Sequence, residues 1–157
     1  MTNPELEYWP PCEGKYRRSE ARSVIGCGDP VWERAGVEVL RWGVKTASGF
    51  AVSSDAPVAA GDRVEVTARL FGLRIIEPVE VVAVVDGPDR VGFSYRTLPG
   101  HPVSGEEAFV LSRHGDEVRL TVRSLTRAAP QQPWRALFPL LLIVQRIVRR
   151  RYLRALR

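Results

Sequence analysis

The residues best suited to chemistry gather in one loop of the 157-residue chain, between two runs rich in apolar side chains. His101 lies in this loop, and Glu106 and Glu107 follow it closely. An imidazole titrates near neutral pH, and a neighbouring carboxylate can fix its tautomer and raise its basicity. The sequence therefore nominates His101 and Glu106 as candidate catalytic residues, acting as a general acid and base.

The same loop also permits a purely structural interpretation. Residues 98–102 read Leu-Pro-Gly-His-Pro, which is typical of a rigid turn, and His101 would then hold the loop through a backbone hydrogen bond. Both interpretations stay open, because loops on rigid scaffolds often carry binding and catalytic residues. The residues nominated for ligand binding are Tyr95, Arg96, His101, Glu106, Glu107, Trp42, Phe93 and Phe109.

Other kinds of site lack their sequence signatures. The two histidines and the scattered carboxylates do not have metal-ligand spacing, so we expect no metal ion. Cys12 and Cys27 form no CxxC pair, and two inert, unpaired thiols are the simplest interpretation. Neither a phosphate-binding glycine loop nor a GxSxG nucleophile motif occurs, and we expect no cofactor.

Alternating apolar and polar residues predict an antiparallel sheet. In residues 63–70, apolar side chains alternate with arginine, glutamate and threonine, the pattern of a strand with one buried face. The valine-rich run in 79–85 predicts burial on both faces. Further strands are predicted at 16–26, 50–53, 73–76, 91–98, 107–112 and 118–125. Most of the connections have hairpin length, which indicates a meander.

Two helices complete the predicted elements. Asp29-Pro30 indicates a helix start, because aspartate can cap the first turn and proline is tolerated there. The predicted solvent-exposed face of this helix holds Arg34, Glu38, Arg41 and Lys45. From Leu137 to the C-terminus, apolar residues repeat at intervals of three and four, which predicts a long amphipathic helix. This order of elements is α+β, with helices on one face of the sheet.

Charge is unevenly distributed along the chain, which has a net charge of +5. Ten arginines and no acid follow Glu117, whereas the chain up to that point has thirteen basic and eighteen acidic residues. This asymmetry predicts either an interaction surface at the C-terminus or docking of that end onto the acidic body. A basic amphipathic helix can lie on an anionic membrane surface. Nucleic acid is disfavoured as a partner, because Tyr152 is the only aromatic side chain among the arginines from Arg146 onward, and bases stack on aromatic rings.

The sequence predicts a short N-terminal segment followed by one domain. Residues 1–14 are rich in proline and acids and predict a loosely packed N-terminal segment, while residues 15–157 predict a single domain. The chain opens without the pattern of a secretory signal. Its longest apolar run, residues 136–144, is far shorter than the roughly 20 residues of a spanning helix. We therefore expect a cytoplasmic protein.

Three segments resemble a bacterial and plant family known as uncharacterised protein family 0548. They are GDPVWERAGVEVLRW at 28–42, PVEVVAVVDGPDRVGFSYRTLPGHPVSGEEAFVL at 78–111, and RRRYLRALR at 149–157. The resemblance covers nearly the whole chain from about Tyr16, and residues 95–109 are its most specific part. The chain departs from the family pattern at Arg96, where the family has glycine. The resemblance implies no established reaction, substrate or cofactor.

The order of elements is also similar to the helix-grip architecture of START-related and birch-pollen-allergen-like proteins. That resemblance implies a curved antiparallel sheet of six or seven strands wrapped on the long C-terminal helix, with an apolar cavity between them. The side chains expected to line the cavity include Phe93, Tyr95, Phe109, Leu137 and Leu141.

The function we expect is therefore binding of a small hydrophobic or amphipathic molecule. Two alternatives stay open at this point. One is an enzyme, such as a cyclase, hydrolase or isomerase, that uses His101 as its general base. The other is a regulatory protein that binds membranes through its arginine-rich C-terminal helix.

Overall fold

Seven antiparallel strands form one continuous sheet in the computed structural model, which describes residues 1–157. They are β1 (Arg17–Cys27), β2 (Ala51–Val52), β3 (Arg63–Leu70), β4 (Leu73–Asp86), β5 (Arg90–Thr97), β6 (Val103–His114) and β7 (Glu117–Ala128). Their order across the sheet is β1-β7-β6-β5-β4-β3-β2. Each strand from β2 to β7 pairs with its neighbour in sequence, and β1 pairs with β7.

Three helices accompany the sheet: α1 (Asp29–Val39), α2 (Gly43–Thr46) and α3 (Trp134–Tyr152). One hydrophobic core joins all three to the sheet, because it includes Val39 of α1, Val44 of α2 and Tyr152 of α3. The predicted α+β architecture, with seven strands and a long C-terminal helix, is confirmed. None of the helices combines the length and the apolar composition that crossing a bilayer requires.

Burial along β3 follows the alternation that the sequence predicts, whereas β5, β6 and β7 are buried at consecutive positions. In β3, Val64 and Val66 are buried while Glu65 is exposed. In β4, however, Val82 is 37% exposed, and a register shift between Val81 and Ala83 interrupts the pairing with β5. The prediction that this valine run is buried on both faces was therefore wrong, because Val82 is exposed on the face opposite to Val81.

The first predicted helix is interrupted at Trp42. α1 ends at Val39, Trp42 has a left-handed backbone conformation (φ 63°), and α2 begins at Gly43. A Cβ atom at position 43 would lie 2.5 Å from the backbone oxygen of Glu38, so only glycine fits at this bend. Residues beyond the bend do not continue the helical phase of α1. The prediction that Lys45 lies on the exposed face was therefore wrong, and its side chain is buried.

The start of α1 also differs from the prediction by one residue. Gly28 is the N-cap residue, and no side chain caps the helix. The carboxylate of Asp29 forms an ion pair with Arg113 at 2.5 Å. This ion pair ties the beginning of α1 to the end of β6.

Residues 1–14 pack against the sheet more closely than the sequence predicts. Thr2 is fully buried and Trp9 is 2% exposed. The buried guanidinium of Arg123 in β7 donates hydrogen bonds to the backbone oxygens of Thr2, Asn3 and Glu7, at 3.2, 2.6 and 2.9 Å. The prediction that this segment is loosely packed was therefore wrong. The buried guanidinium of Arg123 needs hydrogen-bond acceptors, and the backbone oxygens of the segment supply them.

The apolar residues of α3 divide between two sides of the helix. Tyr152 is the only fully buried residue of α3, and Leu156 is buried just beyond it. Half-buried residues on the side facing the sheet are Leu141, Val144 and Val148. Exposed residues are Leu137, Leu140, Ile143 and Ile147. Most of α3 therefore covers the sheet without the close packing that the sequence predicts.

Candidate functional site

A cavity of about 170 Å³ lies between the sheet and α3. Strands β3 to β7, α3 and the residues around α2 contribute to its wall. Apolar parts of the wall are Phe50, Ile75, Leu141, Val144 and Val148. Ionisable side chains of the wall include Lys45, Glu77, Tyr95, His101, Glu107 and Tyr152. The cavity is thus largely apolar, with a group of polar side chains drawn from six separate segments.

Lys45 is the centre of this polar group. Its Nζ donates a hydrogen bond to Tyr152 Oη at 2.6 Å and lies 3.3 Å from Glu107 Oε2. Four aromatic rings surround the ammonium, with centroids 4.8, 5.0, 5.3 and 5.9 Å from Nζ for Phe50, Tyr152, Tyr95 and Phe109. A carboxylate, a hydroxyl and ring faces thus compensate a cation whose residue is only 4% exposed.

Tyr95 and Glu107 lie side by side because they are paired residues of β5 and β6. The Tyr95 hydroxyl donates a hydrogen bond to the Glu107 carboxylate. Burial, followed by the charge of Glu107, raises the pKa of Tyr95 well above its ordinary value. The same two causes raise the pKa of Tyr152. Both phenols therefore keep their protons at neutral pH, and each has one O–H to donate.

Glu77 and His101 face each other beside this group. Glu77 Oε2 lies 3.9 Å from His101 Nε2, which is beyond hydrogen-bond distance. Burial raises the pKa of Glu77, although the positive charge of Lys45 opposes the rise. The protonated form of Glu77 is thus favoured more than in a carboxyl group exposed to water.

His101 holds its own loop. Its Nδ1 accepts a hydrogen bond from the backbone N–H of Val103 at 3.1 Å, so the neutral ring carries its proton on Nε2. Burial, followed by the charge of Lys45, lowers the pKa of His101 to about 3. A group with that pKa is a weak base near neutral pH. The hydrogen bond to Val103 is the kind that the structural interpretation of this loop expects.

Two nominated residues direct their charged groups away from the cavity interior. Glu106 borders the cavity, but its carboxylate accepts a hydrogen bond from the backbone N–H of Thr2 at 2.7 Å. Arg96 is exposed and forms an ion pair with Glu80 at 2.9 Å. Successive residues of a strand point to opposite faces, so Glu106 and Arg96 lie opposite to Glu107 and Tyr95. The predicted pair of His101 and Glu106 is therefore not formed.

The other nominated aromatic residues support the cavity wall from behind. Trp42, Phe93 and Phe109 are buried but are not part of the wall. The ring centroids of Trp42 and Phe93 are 4.7 Å apart, and those of Phe109 and Tyr152 are 5.1 Å apart. These contacts connect the bend after α1, the sheet and the end of α3. Of the residues nominated for binding, the structure brings Tyr95, His101 and Glu107 together.

Sequence reasoning missed Lys45, Glu77 and Tyr152 as members of the site. The signal for Glu77 was a single carboxylate within an apolar run, Ile-Ile-Glu-Pro-Val. For Tyr152 it was the one aromatic residue among the terminal arginines. Lys45 had no comparable signal, because its burial depends on the bend at Trp42.

The fold and the position of the cavity define a helix-grip protein, in which a curved antiparallel sheet holds a long C-terminal helix. More particularly, the chain belongs to the family described as "Domain of unknown function (DUF1990)", which matches residues 4–155. A UPF0548 protein of Deinococcus radiodurans is 47% identical over 62 residues, which are 39% of this chain and 31% of that protein. The resemblance to family 0548 is thereby confirmed, although the match spans less than a third of that relative's length.

Solved structures share the fold at low sequence identity. A hypothetical protein from Helicobacter pylori is similar with a TM-score of 0.64 and 12% identity, over 90% of this chain and 85% of that chain. The ginseng major latex-like protein 151 from Panax ginseng has a TM-score of 0.53 and 16% identity, over 88% of this chain and 99% of that chain. At these identities the likeness shows the fold alone.

Removing the cation of the site should destabilise the protein. We expect Lys45→Met to lower the free energy of unfolding by about 3 kcal/mol, because the half-buried Glu107 carboxylate would lose its partner. Adding Glu107→Gln should restore part of this loss, whereas Arg154→Met, which changes an exposed arginine, should have an effect below about 0.5 kcal/mol. Urea denaturation of the single and double variants measures the coupling. Strictly additive effects would contradict the ion pair.

The buried neutral state of His101 predicts a pH dependence of stability. The pKa of His101 falls from 6.5 to about 3 on folding, so below pH 6.5 the unfolded chain binds a proton that the folded chain does not. Stability should therefore decrease as the pH falls from 6.5 towards 3, with a slope of at most about 1.4 kcal/mol per pH unit from this residue. His101→Asn keeps an acceptor for the Val103 N–H without a titrating ring. Its unfolding free energy should fall less between about pH 7 and pH 5, and identical slopes would refute the assignment.

Proposed function

We propose that the protein binds a small amphipathic molecule in the cavity between the sheet and α3. The observation that carries this proposal is the meeting of an apolar wall, including Leu141, Val144 and Val148, with the buried polar group around Lys45. Protein cores are normally packed without such space. A largely apolar cavity with a few convergent polar groups is typical of small-molecule sites.

The polar group indicates what part of the ligand it would contact. Lys45 has three N–H donors; one donates to Tyr152, and the ammonium forms an ion pair with Glu107. Tyr152 accepts the hydrogen bond from Lys45, so its own O–H stays available to a ligand. His101 offers the proton on Nε2. Three donors in one cavity favour a ligand whose buried end carries an oxygen acceptor, such as a carbonyl or a carboxylate.

The alternative of an enzyme with His101 as general base gains no support from this geometry. The imidazole is neutral, has a pKa of about 3 and is engaged with Val103 through Nδ1. The carboxylate of Glu106, which would have oriented it, binds Thr2 instead. Binding without chemical conversion therefore fits the side chains better than acid–base catalysis by this pair.

Filling the cavity should weaken binding. We expect Val144→Trp to weaken the affinity for 1-octanol about tenfold or more, because the indole would occupy the ligand's space. Ile147→Trp, on the exposed side of the same helix, should leave that affinity unchanged. Titration calorimetry measures both, with melting temperatures as a check on folding. Equal affinities in the two variants would contradict the proposed site.

Native mass spectrometry of protein purified from its own cell would identify the natural ligand. We expect a discrete additional mass that disappears on denaturation. The same measurement on Val144→Trp should show the mass of the polypeptide alone, whereas Ile147→Trp should retain the additional mass. Retention of the additional mass in both variants would place its binding site elsewhere.

An anionic membrane surface is a second candidate partner, favoured by the outer side of α3. Leu140, Ile143 and Ile147 are 54, 57 and 52% exposed and recur at helical spacing. The arginines from Arg146 onward form no ion pair with a carboxylate of the chain. An exposed apolar stripe beside unpaired arginines is the pattern of a helix that binds at a membrane interface.

Liposome sedimentation tests the membrane candidate. The protein should sediment with vesicles containing phosphatidylserine at low salt and be released at high salt, because salt screens the attraction between arginine and lipid. Replacing both Ile143 and Ile147 by serine should reduce sedimentation, whereas Val37→Ser, an exposed valine of α1, should not. Failure of the unmodified protein to sediment at low salt would exclude this partner.

A further inference from the structure

A second recess, of about 230 Å³, lies where β1 and β7 meet α3. Arginines from two elements line it: Arg17 and Arg18 from β1, and Arg146 and Arg149 from α3. The guanidinium of Arg18 is engaged elsewhere, since it donates a hydrogen bond to the backbone oxygen of Trp9 at 2.5 Å. Ser19, Ser124 and Gln145 add hydroxyl and amide groups. No aspartate or glutamate is part of its wall. We call this space the arginine recess.

The positive charges of the arginine recess lack counter-charges within the protein. Arg17, Arg146 and Arg149 form no ion pair with any carboxylate. The nearest acid along β1, Glu20, binds Arg123 instead, at 2.8 Å. Three unpaired guanidinium groups around one space repel one another, and an anion between them would remove that repulsion.

The arginine recess and the cavity share part of their walls. Ser124, Thr126, Gln145 and Arg149 line both spaces. Arg149 Nη2 donates a hydrogen bond to Ser124 Oγ at 3.0 Å, across β7 and α3. The two spaces are therefore adjacent, and this hydrogen bond lies at their common boundary.

We infer that the arginine recess binds a phosphate-type anionic group of the same molecule whose apolar part occupies the cavity. This inference rests on the proposed function and narrows the ligand to an anionic amphiphile. Guanidinium groups match the oxygens of a tetrahedral anion in paired hydrogen bonds. Arg17 and Arg146 approach from opposite elements, and the neighbouring hydroxyl and amide groups supply further donors.

Three probes separate the contributions of the two spaces: 1-octanol, octyl phosphate and inorganic phosphate. In titration calorimetry at low salt, the unmodified protein should bind octyl phosphate about tenfold or more tightly than 1-octanol. The double variant Arg17→Gln, Arg146→Gln should lose this advantage while its affinity for 1-octanol stays within about twofold. Inorganic phosphate should bind more weakly than octyl phosphate, because it has no apolar part to bury in the cavity.

A charge-matched control uses arginines outside the recess. The double variant Arg150→Gln, Arg154→Gln also removes two positive charges, but from exposed positions outside the recess. This control variant should retain the preference for octyl phosphate. If this control loses the preference equally, net charge alone accounts for it and the inference is overturned. Unchanged melting temperatures verify that both double variants are folded.

The remaining outcomes distinguish this inference from the proposed function. Equal affinities of the unmodified protein for octyl phosphate and 1-octanol would overturn the inference and leave the cavity site standing. Inorganic phosphate binding as tightly as octyl phosphate would also overturn it, since the anion would then be a separate ligand. Binding of neither octanol nor octyl phosphate would contradict the cavity site, and the inference would fail with it.

Discussion

The burial of one ammonium group is the constraint that connects the parts of this structure. Lys45 comes from α2, its counter-charge Glu107 from β6, and its hydroxyl partner Tyr152 from the end of α3. None of these three groups could be buried alone without a large loss of solvation energy. The helix bend, the sheet and the last helix must therefore assemble together. Buried ion pairs add little net stability, so this group constrains how the elements assemble more than it stabilises the fold.

The sheet could be predicted because its signal is local. Alternation along 63–70 marks the buried and exposed faces of β3, and the short turns between neighbouring strands indicate their pairing. The valine run of β4 gave a wrong prediction. Burial on both faces needs a second layer of structure over the sheet, and a run of valines does not show whether that layer exists. The packing of residues 1–14 was missed because Arg123, which holds them, is more than a hundred positions away.

The site was only partly predictable, for two different reasons. Strand alternation already contained the information that separates Tyr95 from Arg96 and Glu107 from Glu106, since each pair occupies successive positions. Lys45 is different, because its direction depends on a left-handed backbone at Trp42, a conformation that tryptophan seldom adopts. Tertiary packing of that indole against the aromatic rings of β5 fixes the bend, and no local pattern reports it.

The two halves of α3 are anchored unequally. Tyr152 and Leu156 fix the C-terminal end in the core, whereas Leu141 and Val144 rest only half-buried above the cavity. A ligand longer than the present space would displace the less buried N-terminal half of the helix before it disturbed the sheet, because fewer buried contacts oppose that movement. For the proposed amphipathic ligand, the C-terminal half of α3 would then select the polar head group, and the N-terminal half would set the tolerated length of the apolar tail. Substitutions in one half would change one property without changing the other.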